Sequence, residues 1–233
     1  MTRLVGLIGG VSPEATPIYY AGLCKAANTA RGGQSSMPVL INALDFGVMA
    51  GLYHDENWTA FKAEVGRAAL SLKAGGAEAL AICSNTTHIG ADHAAEATGL
   101  PIIHILDALT EALQAHKVGK PFLLGTPFVM EGDFYRRALG ERYGPEVVVP
   151  TQEDREETGR IIFDELCRGV IKDSSCERFA AMIDAAKAEG CDGVILGCTE
   201  LCMIISEDMS SLPVFDTTAL HIASIAQFAL ERG

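Results

Sequence analysis

The sequence is short of basic side chains: 18 Lys and Arg stand against 30 Asp and Glu, which gives a net charge of -12 over 233 residues. Nucleic acids and anionic membrane surfaces are bound by clustered Lys and Arg, so this balance argues against both kinds of partner. A small anionic substrate remains compatible with it, because a local site can oppose the overall sign. With only 21% charged and 48% apolar residues, we expect a folded chain with a sizeable core.

Long apolar runs and a secretion leader are also missing. The short apolar stretch at residues 4–8 follows a single Arg3 and breaks at Gly9-Gly10, so we expect no signal peptide. No apolar run approaches the roughly 20 residues that a membrane-spanning helix needs. Seven cysteines are an odd number in a chain too large to need disulfides, which favours free thiols. We therefore expect a cytoplasmic protein with no membrane contact.

The glycines near the N-terminus lack the spacing of a nucleotide-binding loop. Gly6, Gly9 and Gly10 do not form a G-x-G-x-x-G pattern, and no Gly-Lys-Ser/Thr follows them. We expect no nucleotide to bind here. The glycines instead allow the backbone to approach a small substrate closely.

What the sequence does contain is an alternation of short apolar runs and longer amphipathic segments. The strand-like runs are residues 4–8, 39–43, 79–83, 102–105, 122–124, 147–149, 194–196 and 214–215. The helix-like segments between them include residues 57–74, 107–115, 158–168 and 177–189. Continuous apolar strands separated by helices are typical of parallel sheets covered on both faces, which predicts an α/β fold.

A weak internal repeat runs through the chain. Three blocks recur in the same order at a nearly constant offset: residues 7–9 with 123–125, 76–86 with 190–200, and 100–103 with 212–215. In addition, Ser12-Pro13 and Thr126-Pro127 each read as a helix N-cap followed by proline at the first helical position. The repeat predicts two pseudo-symmetric α/β halves.

The halves have predicted boundaries. The first is residues 1–106 together with residues 214–233, whose last helix is expected to return to the first half. The second is residues 107–213.

Both copies of the repeat end a strand with polar residues. One carries CSNTTH at residues 83–88, and the other carries GCTE at residues 197–200. Ligands of parallel sheets bind beyond the carboxyl ends of the strands. We expect a helix to start after each run, with free N–H groups that favour a carboxylate. Two such ends facing each other would hold a small acid between two side chains.

The register of the repeat pairs Ser84 with Cys198 and places Cys83 opposite Gly197. Because successive side chains on a strand point to opposite faces, Cys83 and Ser84 are not expected to face the same cleft. Intrinsic chemistry favours Cys83, since a thiol with a reference pKa of ~8.5 becomes a thiolate near neutral pH beside a helix N-terminus. A serine hydroxyl is a far weaker acid. Both residues therefore stay candidates.

Four segments resemble the signatures of the aspartate/glutamate racemase family, over nearly the whole chain: residues 6–16 (GLIGGVSPEAT), 83–88, 197–201 (GCTEL) and 215–218 (FDTT). The resemblance implies two flavodoxin-like domains with the active site in the cleft between them, and we also expect a homodimer. It further implies a two-base mechanism without pyridoxal phosphate, metal or nucleotide, so no cofactor is expected. One group removes the Cα proton from one face, and the other returns a proton to the opposite face.

The chain departs from the family at the first signature. Most members have cysteine directly before the Asn-Thr pair, where this chain has Ser84. A bacterial subgroup has Cys-Thr-Asn-Thr, and this chain is most similar to that subgroup. Resemblance and repeat together favour Cys198 and Ser84 as the catalytic pair, with Cys83 as the alternative.

The resemblance and the strand-end positions also suggest a substrate-binding set: Gly10, Val11, Ser12, Asn85, Thr86, Thr87, Thr126, Arg155, Thr199 and Glu200. In aspartate racemases an Arg after the second strand and a Lys after a later strand hold the side-chain carboxylate. The aligned residues here are Met49 and Glu156, and Arg155 and Arg160 are the nearby cations. We take Arg155 as the candidate.

The function that these features favour is racemisation of a small amino acid, with aspartate or glutamate expected from the resemblance. A decarboxylase or cis–trans isomerase of the same superfamily is an alternative, because such enzymes use one cysteine. A non-catalytic protein that binds small acids is a second alternative.

Overall fold

The computed structural model describes residues 2–231, which form an α/β structure. Its strands are β1 (Val5–Gly9), β2 (Val39–Ala43), β3 (Ala79–Ile82), β4 (Ile102–Ile103), β5 (Pro121–Gly125), β6 (Gly193–Gly197) and β7 (Val214–Asp216). Its α-helices are α1 (Ala15–Arg31), α2 (Phe46–His54), α3 (Trp58–Ala74), α4 (Ala91–Thr98), α5 (Ile105–Ala115), α6 (Pro127–Glu131), α7 (Asp133–Tyr143), α8 (Gln152–Asp164), α9 (Asp173–Ala188) and α10 (Thr217–Leu230). No helix within residues 2–231 is long and apolar enough to cross a membrane.

The first sheet has the strand order β2-β1-β3-β4, and every neighbouring pair is parallel. Alternate side chains of the two central strands enter different cores. Ile8 packs on one face with Phe61 of α3, while Leu7 packs on the other with Leu23 of α1 and Ile225 of α10. Burying an aliphatic side chain of this size contributes about 1.5–3 kcal/mol, so helices on both faces are needed to hold such apolar strands together.

The second sheet has the order β5-β6-β7, also parallel. Its strand β6 is buried throughout. Leu196 packs with Ile162 of α8 and Phe179 of α9. The predicted α/β fold with two parallel sheets is confirmed.

The strand predicted at residues 147–149 is not a full strand. Only Val148 forms a bridge, with Phe122, through two backbone hydrogen bonds. Pro150, two residues later, has no N–H to extend the ladder.

The described chain divides into two compact units. One contains the residues up to Ile105 together with those from His221 onward, and the other is Leu106–Leu220. The predicted assignment of residues 214–220 to the first half is wrong, because β7 pairs with β6 in the second sheet. Only the part of α10 from His221 belongs with the first unit.

One of the two predicted N-caps is present. Thr126 caps α6, its hydroxyl accepting the N–H of Val129 at 3.3 Å, with Pro127 at the helix start. The prediction at Ser12 is wrong, because α1 begins only at Ala15. The Ser12 hydroxyl instead accepts the N–H of Glu14 at 3.3 Å, within the turn that precedes the helix.

A buried carboxylate joins α8 to α9 in the second unit. Glu165 is 2% exposed and accepts hydrogen bonds from Ser175 and Arg160, both at 2.7 Å, and from Lys172 at 3.1 Å. Burial alone would raise the pKa of Glu165, but these three donors outweigh it and lower the pKa to about 2. The folded state therefore holds the ionised form more tightly than the unfolded chain does.

This linkage predicts the pH dependence of stability. Because the folded pKa of Glu165 lies below the ordinary value of 4.5, its stabilisation is complete above that value and is lost as the pH falls towards about 2. We expect Glu165→Gln to lower the free energy of unfolding at pH 7 by about 1–3 kcal/mol, the usual cost of weakening hydrogen bonds to a charged group. Urea unfolding of both proteins between pH 7 and pH 3 measures the difference, which should shrink in acid.

The matched control is Glu141→Gln, which removes an exposed carboxylate paired with Arg137. Exposed ion pairs contribute little to stability, so the free energy of unfolding of this variant should stay close to that of the parent at every pH. If Glu165→Gln lowered the free energy of unfolding equally at pH 7 and pH 3, the linkage would be contradicted.

Candidate active site

Ser84 follows β3 in the first unit and is 7% exposed. Its Oγ accepts the N–H of Thr87 at 3.3 Å. That amide belongs to the 3₁₀ helix Thr86–Gly90, which leads directly into α4. The helix predicted after this strand therefore begins as a 3₁₀ turn. A backbone N–H donor held against Oγ stabilises negative charge on that oxygen.

Cys83 lies in the core instead. It is 1% exposed and packs with Val5, Leu7 and Ile225 in the layer between the first sheet, α1 and α10. Burial raises the pKa of its thiol far above the ordinary value. A buried neutral thiol of this kind packs as a small apolar side chain.

Cys198 follows β6 in the second unit and is 7% exposed. Its Sγ donates to Oε2 of Glu200 at 2.9 Å, and the Thr199 hydroxyl donates to the same oxygen at 2.8 Å. Glu200 is itself only 3% exposed. These contacts join a thiol, a hydroxyl and a carboxylate within three consecutive residues.

The expectation that a helix starts after residues 197–200 is met only by a short 3₁₀ turn. Only the three-residue 3₁₀ helix Leu201–Met203 follows. Burial raises the pKa of Cys198 well above its usual range, the carboxylate of Glu200 raises it further, and the Glu200 amide opposes them only partly. Cys198 is a thiol at rest, with its proton directed at a carboxylate.

Two buried hydroxyls add to the polar groups near the strand ends. Oγ1 of Thr87 and Oγ1 of Thr218 have no hydrogen-bond partner among residues 2–231. An unsatisfied buried hydroxyl costs about 1–3 kcal/mol, so each such atom favours the approach of a polar group. Thr218 was missed as a candidate although it lies in the FDTT segment; its neighbour Asp216 has a pKa raised by burial.

The remaining first-unit candidates lie after β1 and β3. Gly10 has φ +81°, and a Cβ placed there would meet the backbone of Leu44, so only glycine fits. Its N–H donates to Thr16 Oγ1 at 2.8 Å. Val11 and Ser12 continue this turn, and Asn85 and Thr86 open the turn after β3.

The cation candidate is already paired. Nε of Arg155 donates to Glu131 Oε1, and its NH1 donates to the carbonyl of Pro150, both at 2.7 Å. Met49 is 1% exposed and belongs to the core beside α3. A substrate carboxylate would therefore have to share Arg155 with Glu131 or displace it.

Each group of candidates follows parallel strands within its own unit. The first unit holds Ser84 together with Gly10, Val11, Ser12, Asn85, Thr86 and Thr87. The second unit holds Cys198 together with Thr126, Arg155, Thr199 and Glu200. All but Arg155 lie in the short segments that follow the strands, as expected for ligand sites of parallel sheets.

The state of Cys198 can be measured by alkylation. Glu200→Gln removes the carboxylate that raises the pKa of Cys198, so the thiolate fraction at pH 8 should rise, and with it the reaction rate with iodoacetamide, several-fold. Mass spectrometry of the peptide that contains Cys198 follows this rate separately from those of the other thiols. Glu189→Gln, which removes a carboxylate that acts on Cys191, is the control and should leave Cys198 unchanged. An unchanged or slower rate in Glu200→Gln would contradict this reading.

Comparison with known proteins places these features in a family. The chain is similar to a candidate Asp/Glu racemase from Yersinia pestis, whose crystal structure is 38% identical with a TM-score of 0.90, covering 98% of this chain and 100% of that chain. It is similar to an aspartate racemase homologue from Pyrococcus horikoshii OT3, 34% identical with a TM-score of 0.85, covering 99% and 100%. The broad specificity amino-acid racemase RacX of Bacillus subtilis (strain 168) is 20% identical over 224 residues, 93% of each chain.

The model of the family described as Asp/Glu/Hydantoin racemase matches residues 8–225, a span that includes both strand ends described above. This chain therefore belongs to the Asp/Glu/hydantoin racemase family.

Proposed function

We propose that this protein is an amino-acid racemase that inverts Cα by two-base proton transfer, with Cys198 and Ser84 as the two groups. The hydrogen bond from the Cys198 thiol to Glu200 carries the proposal, because it gives a buried thiol an acceptor for its proton. Family membership supports the reaction class and makes the decarboxylase and binding-protein alternatives less favoured.

On the Cys198 side the proton moves in two steps. The thiol proton passes to the carboxylate of Glu200, which leaves a thiolate and a neutral acid. The thiolate then takes the Cα proton of one enantiomer, and the electron pair of the broken C–H bond spreads into the substrate carboxylate. Because Glu200 becomes neutral at the moment the thiolate forms, no second negative charge is added to this buried site.

On the other face Ser84 supplies the proton. Its hydroxyl, or a water that it holds, gives a proton to Cα, and the N–H of Thr87 stabilises the oxygen left behind. Solvent then returns a proton to the Ser84 oxygen and takes the proton from Glu200, which regenerates the resting state. For the opposite enantiomer every step runs in reverse: Ser84 first gives its own proton to solvent and then takes the Cα proton, the Cys198 thiol gives its proton to the other face, and Glu200, protonated from solvent, returns a proton to the thiolate. Because the thiol and the hydroxyl differ chemically, L-to-D and D-to-L inversion have different rate constants, although the equilibrium between the enantiomers is unchanged.

The α-carboxylate of the substrate needs hydrogen-bond donors, because no unpaired cationic side chain is assigned to the proposed site. We assign this role to Asn85, Thr86 and Thr199, assisted by the unpartnered hydroxyls of Thr87 and Thr218. The proposed substrate-binding set is completed by residues that follow β1 and β5: Gly10, Val11, Ser12 and Thr126. Hydroxyl and N–H donors fixed by the fold stabilise the charge that develops on the carboxylate.

The substrate proposal begins with aspartate and glutamate, the acids named for the family, and extends to amino acids with uncharged side chains. Glu131 already neutralises the charge of Arg155, and Met49 offers no charge, so a side-chain carboxylate gains little from either residue. The broad specificity described for RacX supports the wider range. We further propose that the protein acts without pyridoxal phosphate, as a cytoplasmic homodimer.

The test is inversion of single enantiomers, followed by chiral chromatography over a panel of proteinogenic amino acids that includes L- and D-aspartate and L- and D-glutamate. We expect the parent protein to invert at least one of them. Cys198→Ala and Ser84→Ala should each lower the rate by about 10²-fold or more, the usual effect of removing a general acid or base.

Cys83→Ala is the matched control, since it changes the residue next to Ser84. It should keep inversion within about threefold and cost stability, because the thiol packs in the core. No inversion of any amino acid by the parent would refute the function. Loss of inversion in Cys83→Ala, with activity kept in Ser84→Ala, would show that the second catalytic group is Cys83 and not Ser84.

A further inference from the structure

His88 makes two hydrogen bonds with backbone groups of different segments. Its Nδ1 lies 2.7 Å from the carbonyl oxygen of Ser84, four residues earlier. Its Nε2 lies 3.2 Å from the amide nitrogen of Ile105, at the start of α5. His88 is 6% exposed, so both contacts are shielded from water.

These partners fix the protonation of the ring. A carbonyl oxygen only accepts, so Nδ1 carries a hydrogen; a backbone amide only donates, so Nε2 carries none. His88 is therefore a neutral imidazole in the Nδ1–H form. Protonation of Nε2 would set two donors, the ring and the Ile105 amide, against each other.

A second histidine anchors the same connection between β4 and α5. Nε2 of His221 lies 2.8 Å from the carbonyl oxygen of Ile103, and its Nδ1 lies 2.9 Å from the hydroxyl of Tyr19. Both His221 and Tyr19 are completely buried. The connection that holds His88 at Nε2 is thus itself fixed to α1 and α10.

We propose that His88 is the positioning residue for Ser84. Its Nδ1–H holds the Ser84 carbonyl, while the N–H of Thr87 holds the Ser84 hydroxyl, so that both ends of the residue are fixed. A serine is a poor proton-transfer group and depends on placement, since small displacements of a reacting group cost large factors in rate. This inference rests on the proposed racemase function.

Two substitutions separate the two ring nitrogens. His88→Asn puts an amide N–H near the position of Nδ1 and keeps the donor to Ser84. His88→Gln puts its amide one bond further out, near Nε2, and loses that donor. We expect His88→Asn to retain inversion within about threefold and His88→Gln to lose about tenfold or more, the effect of one hydrogen bond.

A second readout distinguishes positioning from general damage. In deuterated water, Cys198 exchanges the Cα proton of the enantiomer that faces it and returns deuterium to the same face, without using Ser84. We expect this exchange with retention to stay within about threefold of the parent in His88→Gln, while inversion falls by about tenfold or more. Equal loss of both reactions, or a His88→Asn variant as impaired as His88→Gln, would overturn the proposal.

His116→Gln is the matched control. Nδ1 of His116 also contacts the carbonyl four residues earlier, that of Ala112, at 2.9 Å, but at an exposed site in the second unit. Its substitution should change neither inversion nor exchange.

The ring state is tested without any substrate. Long-range ¹H–¹⁵N spectra of the ¹⁵N-labelled parent, assigned with His88→Asn, should show a protonated Nδ1 and an unprotonated Nε2 at neutral pH. A proton on Nε2 would refute the positioning role even if the protein racemises amino acids. The predicted ring state without inversion of any amino acid would refute the proposed function instead, and with it the role assigned to Ser84.

Discussion

Parallel strands that are buried on both faces send neighbouring side chains into different layers, and this alternation determines which residue at each strand end packs in the core. At the end of β3 it places Cys83 among the apolar side chains between the sheet, α1 and α10, and leaves Ser84 beside the turn that follows. At the end of β6, Gly197 takes the place that Cys83 has in the repeat. It packs against β5, where a Cβ would meet Leu123 and the backbone of Leu124. Cys198, the next residue, reaches Glu200.

The chemistry follows from this placement and from the charge beside the thiol. A buried cysteine next to a carboxylate is held as a thiol, so in the proposed mechanism the group that removes the Cα proton is formed only when Glu200 accepts the thiol proton. The proposed second group is the Ser84 hydroxyl, which depends on fixed donors and a fixed backbone. In the proposed mechanism Cys198 therefore relies on an internal proton acceptor, and Ser84 relies on rigid positioning.

Much of the fold could be predicted because its signals are local. The runs at β1, β3, β5 and β6 are continuous and apolar, and the segment at α3 has a helical pattern, so each is predicted close to its observed bounds. The bridge at Val148 and the pairing of β7 depend on which segments meet in space, and local pattern does not report that. Helices α2 and α7 were not predicted at all.

For the site, the repeat register predicts the pairing of Ser84 with Cys198, which stays a prediction, while the structure places Cys83 in the core of the first unit. The protonation of Cys198 could not be predicted, because it depends on burial and on the rotamer of Glu200. The same holds for the ion pair that occupies Arg155.

The central claim is that two different groups act on opposite faces of Cα. The most direct test starts from each pure enantiomer in deuterated water and measures isotope at Cα of the product during the first few per cent of conversion. Two bases predict product that carries deuterium from the first turnover in both directions, because the proton removed is not the proton returned. Product that keeps the substrate's own protium would show that one group carries it across, and would contradict the account.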